Sequence, residues 1–206
     1  MVKVKICGVT NLDDALSSIR FGADALGFNF YPKSPRYMAP EAAASIIKQL
    51  PPFVVKVGVF VNEKYDLVRD VIQRTQIQSV QFHGDEEPEF CDRFGMNVIK
   101  AFRAGEKPER ISRYKSLSGI LIDSPREGYY GGTGKSFDWK LMKEYRSLEK
   151  PVILSGGLSA DNVIEAIEAV HPYAVDACSR LEKSPGVKEH GLLKLFITRV
   201  KEAKTV

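Results

Sequence analysis

Five short apolar runs of this chain each end in a residue that can hold or move a proton or bind an anion. Val4-Lys5-Ile6 leads into Cys7-Gly8, Val80-Gln81-Phe82 into His83-Gly84, and Ile120-Leu121-Ile122 into Asp123. Val152-Ile153-Leu154 leads into Ser155-Gly156-Gly157, and Ala174-Val175 into Asp176. A thiol, an imidazole and carboxylates supply general acid and base chemistry wherever one fold gathers them. Strand alternation puts Lys5 on the face of Cys7, where an ammonium favours the thiolate, and Gln81 on the face of His83.

Three loop segments add to this set. Tyr31-Pro32-Lys33-Ser34-Pro35-Arg36-Tyr37 has prolines that exclude regular structure, so it presents Lys33 and Arg36 from a stiffened loop. Ser155-Gly156-Gly157-Leu158-Ser159 leads into a helix, and bare backbone N–H groups at a helix N-terminus form an anion site. Gly131-Gly132-Thr133-Gly134-Lys135-Ser136 resembles a P-loop, but Tyr129 stands where the pattern needs its first glycine; its position after Asp123 suits a lid hinged on glycines. Each residue taken alone has a plainer role. A strand-end cysteine is commonly a small buried hydrophobe, an aspartate caps a turn, and a histidine in apolar surroundings is satisfied in the core. Arg36 can be a solvated charge, and paired glycines a tight turn. Convergence of all of them on one mouth is what favours chemistry.

The elements that must position these residues follow a regular rhythm. Strands are expected near Val2-Cys7, Asp24-Phe30, Val54-Val61, Ser79-His83, Asn97-Phe102, Gly119-Asp123, Pro151-Ser155 and Tyr173-Cys178. Amphipathic helices are expected near Asn11-Phe21, Pro40-Gln49, Lys64-Thr75, Glu86-Phe94, Pro108-Tyr114, Asp138-Tyr145, Ala160-Val170 and Glu189-Ala203, with start signals at Thr10-Asn11 and Ser159. Eight right-handed crossovers close a parallel sheet into a single (β/α)8 TIM barrel, an α/β fold spanning residues 1–206. In such a barrel the C-terminal strand ends and the loops after them meet at one mouth. A doubly wound open sheet shows the same alternation, so periodicity alone leaves both in play.

The 206 residues are 44% apolar and 27% charged, ordinary values for a globular chain. The net charge of +4, from 30 basic and 26 acidic side chains, is small and scattered, with no basic block that would suit nucleic acid. Cys7, Cys91 and Cys178 lack the spacing of a disulfide framework or a zinc site, which points to a reducing compartment. Met1 leads straight into a strand-like run, and no apolar stretch is long enough to span a bilayer. A soluble, cytoplasmic protein is expected.

Several motifs, in order along the whole chain, closely resemble the phosphoribosylanthranilate isomerase family. They are Lys5-Ile6-Cys7-Gly8-Val9-Thr10, Gly27-Phe28 to Phe30-Tyr31 with Ser34-Pro35-Arg36-Tyr37, Gly58-Val59-Phe60-Val61-Asn62 and Val80-Gln81-Phe82-His83-Gly84. Gly131 to Trp139 and Leu154-Ser155-Gly156-Gly157-Leu158 complete the set. The resemblance implies a cofactor-free, metal-free Amadori rearrangement of N-(5-phosphoribosyl)anthranilate to 1-(2-carboxyphenylamino)-1-deoxyribulose 5-phosphate in tryptophan biosynthesis. It implies Asp123 as general acid and Cys7 as general base. Free groups titrate near ~3.9 and ~8.5, the wrong way round for those tasks, so burial of Asp123 and a cation beside Cys7 are expected to correct each. Arg36 would hold the anthranilate carboxylate, and Gln81, His83 and Asp176 would also contact substrate. Ser155, Gly156 and Gly157, with Ser179 and Arg180 after strand eight, would hold the phosphate. The partner implied is a small phosphosugar, not nucleic acid or a membrane, and the assembly a monomer or homodimer.

One departure bears on the phosphate site. The family's eighth strand usually reads Asp, any residue, Ser or Asn, Ser, Gly, any residue, Glu; here it is Asp176-Ala177-Cys178-Ser179-Arg180-Leu181-Glu182. Arginine in place of that glycine disfavours a positive φ, or adds a charge to the phosphate. Two rivals remain: a related histidine-pathway aminoaldose isomerase and a catalytically silent phosphosugar-binding barrel. The first resembles enzymes with aspartate at position 7 and two phosphate-binding halves, against one glycine-rich turn here. The second has little use for both Cys7 and Asp123.

Overall fold

The period-two runs pair as parallel strands because each buries apolar side chains on both faces. In chain order they are β1 Lys3–Cys7, β2 Ala25–Asn29, β3 Val55–Phe60, β4 Ser79–Phe82, β5 Asn97–Arg103, β6 Gly119–Asp123, β7 Val152–Ser155 and β8 Ala174–Ala177. Each hydrogen-bonds to the next, and β8 returns to β1 with Lys5 opposite Asp176 and Ile6 opposite Ala177, which closes the barrel. The closed (β/α)8 architecture therefore replaces the open-sheet alternative. The protein is known from a computed structural model, which describes residues 1–123, 144–145 and 148–203.

The described helices are α1 Leu12–Phe21, α2 Pro40–Ile47, α3 Tyr65–Thr75, α4 Pro88–Cys91, α5 Pro108–Ile111, α6 Val163–Val170 and α7 His190–Glu202. Asn11 caps α1 by accepting a 2.8 Å hydrogen bond from the Asp14 N–H, and Gly22 ends it in the left-handed conformation. The helices after β4 and β5 are shorter than the sequence suggests. Pro88 and Pro108 hold the preceding residues extended, and beyond the first turn the chain continues through i→i+3 bonds, such as Tyr114 N–H to the Ile111 carbonyl. The expected helix over Asp138-Tyr145 and the glycine-rich lid over Ser124-Phe137 lie outside the described residues, except for Glu144 and Tyr145. A hairpin of β9 Glu182–Ser184 and β10 Val187–Lys188 follows β8, preceded by a 3₁₀ turn at Ser179–Leu181. Its strands are too short for periodicity to reveal.

Strand alternation splits the core in two. Ile6, Leu26, Phe28, Phe60, Phe82, Ile120, Ile122, Leu154 and Val175 belong to the large cluster that packs under the helices. Ala101, Leu121, Ile153 and Ala174 form a second cluster; they are cross-strand neighbours from β5 to β8 and fill the lumen. Above that plug the same inward face continues as polar residues: Asp123 opposite Ser155, and Asp176 opposite Lys5. An apolar floor thus supports a polar mouth.

Polar clips fasten the ends. Asp14, buried in α1, accepts from the Lys188 N–H at 2.8 Å and faces His190 Nε2 at 2.8 Å, so it ties the hairpin to α7. Asp24 accepts from the Val4 N–H at 2.8 Å, Lys3 Nζ at 3.0 Å and Lys201 Nζ at 3.1 Å, which joins β1, the turn before β2 and α7. Burial opposes its charge, yet these donors together hold its carboxyl below the usual aspartate range. Such a depressed acid stabilises the fold fully above its unfolded-state pKa, near 4, and loses that contribution as pH falls through its folded value. Asp24→Ala is expected to cost about 1–2 kcal/mol at neutral pH, with the difference from the wild type narrowing below pH ~4. Urea unfolding of both proteins across that range checks it.

Candidate active site

Cys7 ends β1 at the mouth with its side chain on the Lys5 face, as alternation requires. The approach is tight: a Cβ built on Gly27, its cross-strand partner, would lie 2.8 Å from Cys7 Sγ and 3.3 Å from Lys5 Nζ. Glycine there lets thiol and ammonium share the space beside β2. Lys5 is 3% exposed and donates to Asp176 Oδ1 at 2.8 Å. Ser155 donates to the other oxygen, Oδ2, at 3.3 Å.

A second ion cluster closes on the other side of Cys7. Lys188, fully buried on β10, donates to the Cys7 carbonyl at 2.6 Å and to Glu182 Oε1 at 2.9 Å. Arg36 engages the same Glu182 twice over: Nε lies 2.9 Å from Oε1 and 3.1 Å from Oε2, and NH2 lies 2.6 Å from Oε2. Among the described residues the NH1 side of the guanidinium has no partner, which leaves donors for a ligand carboxylate. The loop that carries Arg36 is knit by two side chains: Asn29 accepts from the Tyr31 N–H, and Ser34 Oγ accepts from Asn29 Nδ2 and the Arg36 N–H. The prolines alone do not hold it. Lys33 on the same loop is exposed.

These charges and a neighbouring thiol together set the state of Cys7. A hydrogen bond from Cys178 is the largest influence holding the Cys7 thiol well below its usual range; burial opposes it, and Lys5 and Lys188 add to it. Cys178 is driven the other way, chiefly by donating to Cys7 and then by burial, so it keeps its proton. Burial works against the Lys5 charge, but Asp176 and Cys7 outweigh it and raise the ammonium above the lysine range. Asp176 is pushed up to about 6, because burial outweighs the stabilisation it draws from Lys5. The expected cation beside Cys7 is therefore present, and the structure adds Lys188 as a second and Cys178 as a hydrogen-bond donor.

Across the mouth, Asp123 Oδ2 lies 3.4 Å from His83 Nε2, and His83 Nδ1 lies 3.2 Å from Gln81 Nε2. With Gln81 donating, the imidazole carries its proton on Nε2 and directs it at the carboxylate. Gln81 is 1% exposed and its Oε1 accepts nothing among the described residues, an orphan acceptor facing the lumen side of β4. Glu86 braces the turn behind His83: it accepts from the Asn62 N–H at 2.7 Å and the Gly84 N–H at 3.0 Å, while Lys100 Nζ binds the Gly84 carbonyl at 2.8 Å.

Contacts thus link Cys7, Asp123, Arg36, Gln81, His83, Asp176 and Ser155 around one mouth. Gly156 and Gly157 adopt φ of +96° and +62° in the turn after β7, and Ser179 and Arg180 stand exposed after β8, at the same end. Two expectations need correction. The helix after the Ser155–Ser159 segment begins at Val163, three residues later than Ala160, because Asn162 Oδ1 accepts from the Ser159 N–H and Nδ2 donates to the Gly157 carbonyl and so hold a turn there. Arg180 is not strained, since it lies in the 3₁₀ turn and not among the residues of positive φ, so glycine's freedom is unused there. Lys188 and Glu182 were missing from the expected site. Glu182 was visible as the last residue of the eighth-strand pattern; Lys188 carried no signal, because only the hairpin brings it beneath Cys7.

A parallel barrel with a thiolate, buried cations and a carboxyl–imidazole pair at its C-terminal mouth is a (β/α)8 enzyme built for proton transfer. The family model of N-(5'-phosphoribosyl)anthranilate isomerase matches residues 4–199, so the chain belongs to that family. It is 47% identical to the N-(5'-phosphoribosyl)anthranilate isomerase of Trichlorobacter lovleyi, over 98% of this chain and all of that one. A solved phosphoribosyl anthranilate isomerase in complex with reduced 1-(o-carboxyphenylamino)-1-deoxyribulose 5-phosphate matches at 45% identity and TM-score 0.88, covering 98% and 99% of the two chains. Monomers generated from the dimeric enzyme of Thermotoga maritima match at 42% and 0.85, covering 98% and 100%.

Replacing Lys5 by Met is expected to move the ultraviolet thiolate transition of Cys7 to higher pH by about one to three units. Titration of the variant against a Cys7→Ser background checks this, and an unmoved transition would rule out Lys5 as the cause.

Proposed function

We propose that this chain converts N-(5-phosphoribosyl)anthranilate to 1-(2-carboxyphenylamino)-1-deoxyribulose 5-phosphate, a step of tryptophan biosynthesis, by acid–base catalysis alone. The observation that carries this reading is Cys7, beside Lys5 and Lys188 that hold its thiol well below the usual range, at the same barrel mouth as the Asp123–His83 pair. Asp123 protonates the ribose ring oxygen, the C1–O bond breaks, and the nitrogen lone pair forms the Schiff base. Cys7 then removes the C2 proton, and the C2–H electrons give the enolamine, which tautomerises to the ketone. His83, at 3.4 Å, orients the Asp123 carboxyl through its Nε2–H.

Substrate recognition follows from the remaining groups. Arg36 takes the anthranilate carboxylate on its NH1 side. Gln81 Oε1 and Asp176 take ribose hydroxyls; the first would satisfy a buried acceptor that has no partner among the described residues. Ser155, Gly156, Gly157, Ser179 and Arg180 hold the phosphate, with Arg180 adding a charge from its exposed turn. A silent phosphosugar-binding barrel would not need positive charge gathered beneath a thiol. The dimer of the Thermotoga maritima relative, and the monomers made from it, support a homodimer or a monomer. Three free thiols favour a reducing compartment, the cytoplasm.

The test generates the substrate in situ and follows its fluorescence loss against spontaneous hydrolysis, which releases anthranilate. Protein-dependent loss without matching anthranilate release is expected, and loss no faster than hydrolysis would sink the assignment. Cys7→Ala and Asp123→Asn should each lower kcat by roughly 10²–10⁴. Arg180→Gly should raise KM several-fold and leave kcat close to the wild type, as for a uniform binding contact; an unchanged KM would remove Arg180 from the phosphate site.

A further inference from the structure

The two cysteines at the mouth occupy opposed positions on adjacent strands. In the β1–β8 register Lys5 faces Asp176 and Ile6 faces Ala177, so Cys7 and Cys178 follow one step beyond the last paired residues, Cys178 directly after the end of β8. Parallel neighbours lie about 4.8 Å apart, inside the roughly 4.4–6.8 Å range of Cα separations that a disulfide spans. The Cys178 thiol is also the largest single influence on the Cys7 thiol, so the two side chains interact across that seam. A Cβ on Gly8 would fall 2.9 Å from Cys178 Sγ, and one on Gly27 would fall 2.8 Å from Cys7 Sγ, so each thiol lies against a glycine that leaves it room. Both cysteines are partly exposed at the mouth. Cys91 is different: it is fully buried, and burial pushes its thiol up to about 12.

We propose that Cys7 and Cys178 form a reversible redox pair, closed to a disulfide by a hydroperoxide, that switches the isomerase off by consuming its base. The switching half of this rests on the reading of Cys7 as the base. In the first step the Cys7 thiolate attacks the peroxide: an S–O bond forms, the O–O bond breaks, hydroxide leaves, and Cys7 becomes a sulfenic acid. In the second, the Cys178 sulfur attacks that sulfur: the S–S bond forms, the S–O bond breaks, and the hydroxyl departs with the Cys178 proton as water. Two electrons pass from the two sulfurs to the peroxide. The surroundings serve both steps. Glu182 Oε1 lies 3.7 Å from Cys178 Sγ, placed to relay its proton to the departing hydroxyl, and Lys188 Nζ lies 3.9 Å from the same sulfur and stabilises negative charge as it develops there. A disulfide sulfur cannot take a proton from C2, so activity stops until a dithiol restores Cys7.

The experiment exposes the full chain to hydrogen peroxide, quenches it, alkylates without reductant and maps the peptides. A peptide linked through Cys7 and Cys178 is expected, with loss of isomerase activity in proportion and recovery in dithiothreitol. Cys178→Ser, scored as treated over untreated activity of the same variant, should form no link and should lose activity that dithiothreitol does not restore, because Cys7 passes on to the sulfinic acid. Absence of the linked peptide in the wild type, whether Cys7 is recovered as thiol or as sulfinic acid, overturns the pairing. A linked chain that keeps full activity overturns the switch, and it does so by removing Cys7 from the role of base and not by removing the pairing.

Discussion

Three cations are packed around one thiol against two carboxylates: Lys5, Lys188 and Arg36 face Asp176 and Glu182. Ions buried at this depth must be neutralised, because removing them from water costs several kcal/mol each. The remaining positive charge is balanced when Cys7 is a thiolate. Asp176, pushed up to about 6, compensates at neutral pH and sharpens the imbalance as the pH falls toward that value. Much else in the structure serves to hold these five charges in place.

The barrel does so by register. Closure of β8 onto β1 sets Asp176 beside Lys5, and the same alternation that aims apolar side chains at the helices aims these two inward. Below them the lumen is plugged by Ala101, Leu121, Ile153 and Ala174, so the charges rest on a packed floor and meet solvent only at the mouth. Slippage by one residue would turn every inward charge into the helix layer, a cost large enough to make the register unique.

Loops complete the set through polar clips instead of apolar packing. Arg36 is held by Asn29 and Ser34, His83 by Glu86 with Lys100, and Lys188 by Asp14 through the hairpin backbone. The Ser34 and Glu86 clips are local to their loops, whereas Lys100 and Asp14 reach across from other elements. A mouth built this way presents its groups in set positions to a ligand that carries one carboxylate and one phosphate, with little reorganisation left for the moment of proton transfer.

The eight strands, their inward faces and the polar residues at their ends were legible in the sequence, because strand periodicity is local and the C-terminal ends of a barrel must converge. Cys7, His83, Asp123 and Asp176 could be placed on one mouth from that pattern, and Lys5 on the face of Cys7. Only the tertiary structure decided the partners. That Lys188 lies under Cys7 and that Glu182 claims one side of Arg36 both depend on contacts closed by a hairpin with strands of three and two residues. Such strands carry no period to detect. The helices after β4 and β5 shortened for a related reason, as a proline start and i→i+3 turns set their length where amphipathic spacing does not. Propensity and alternation act over a few residues and can be seen in the chain, whereas the charge state of a buried thiol is set by groups up to about 180 positions away in sequence and becomes definite only when the barrel closes.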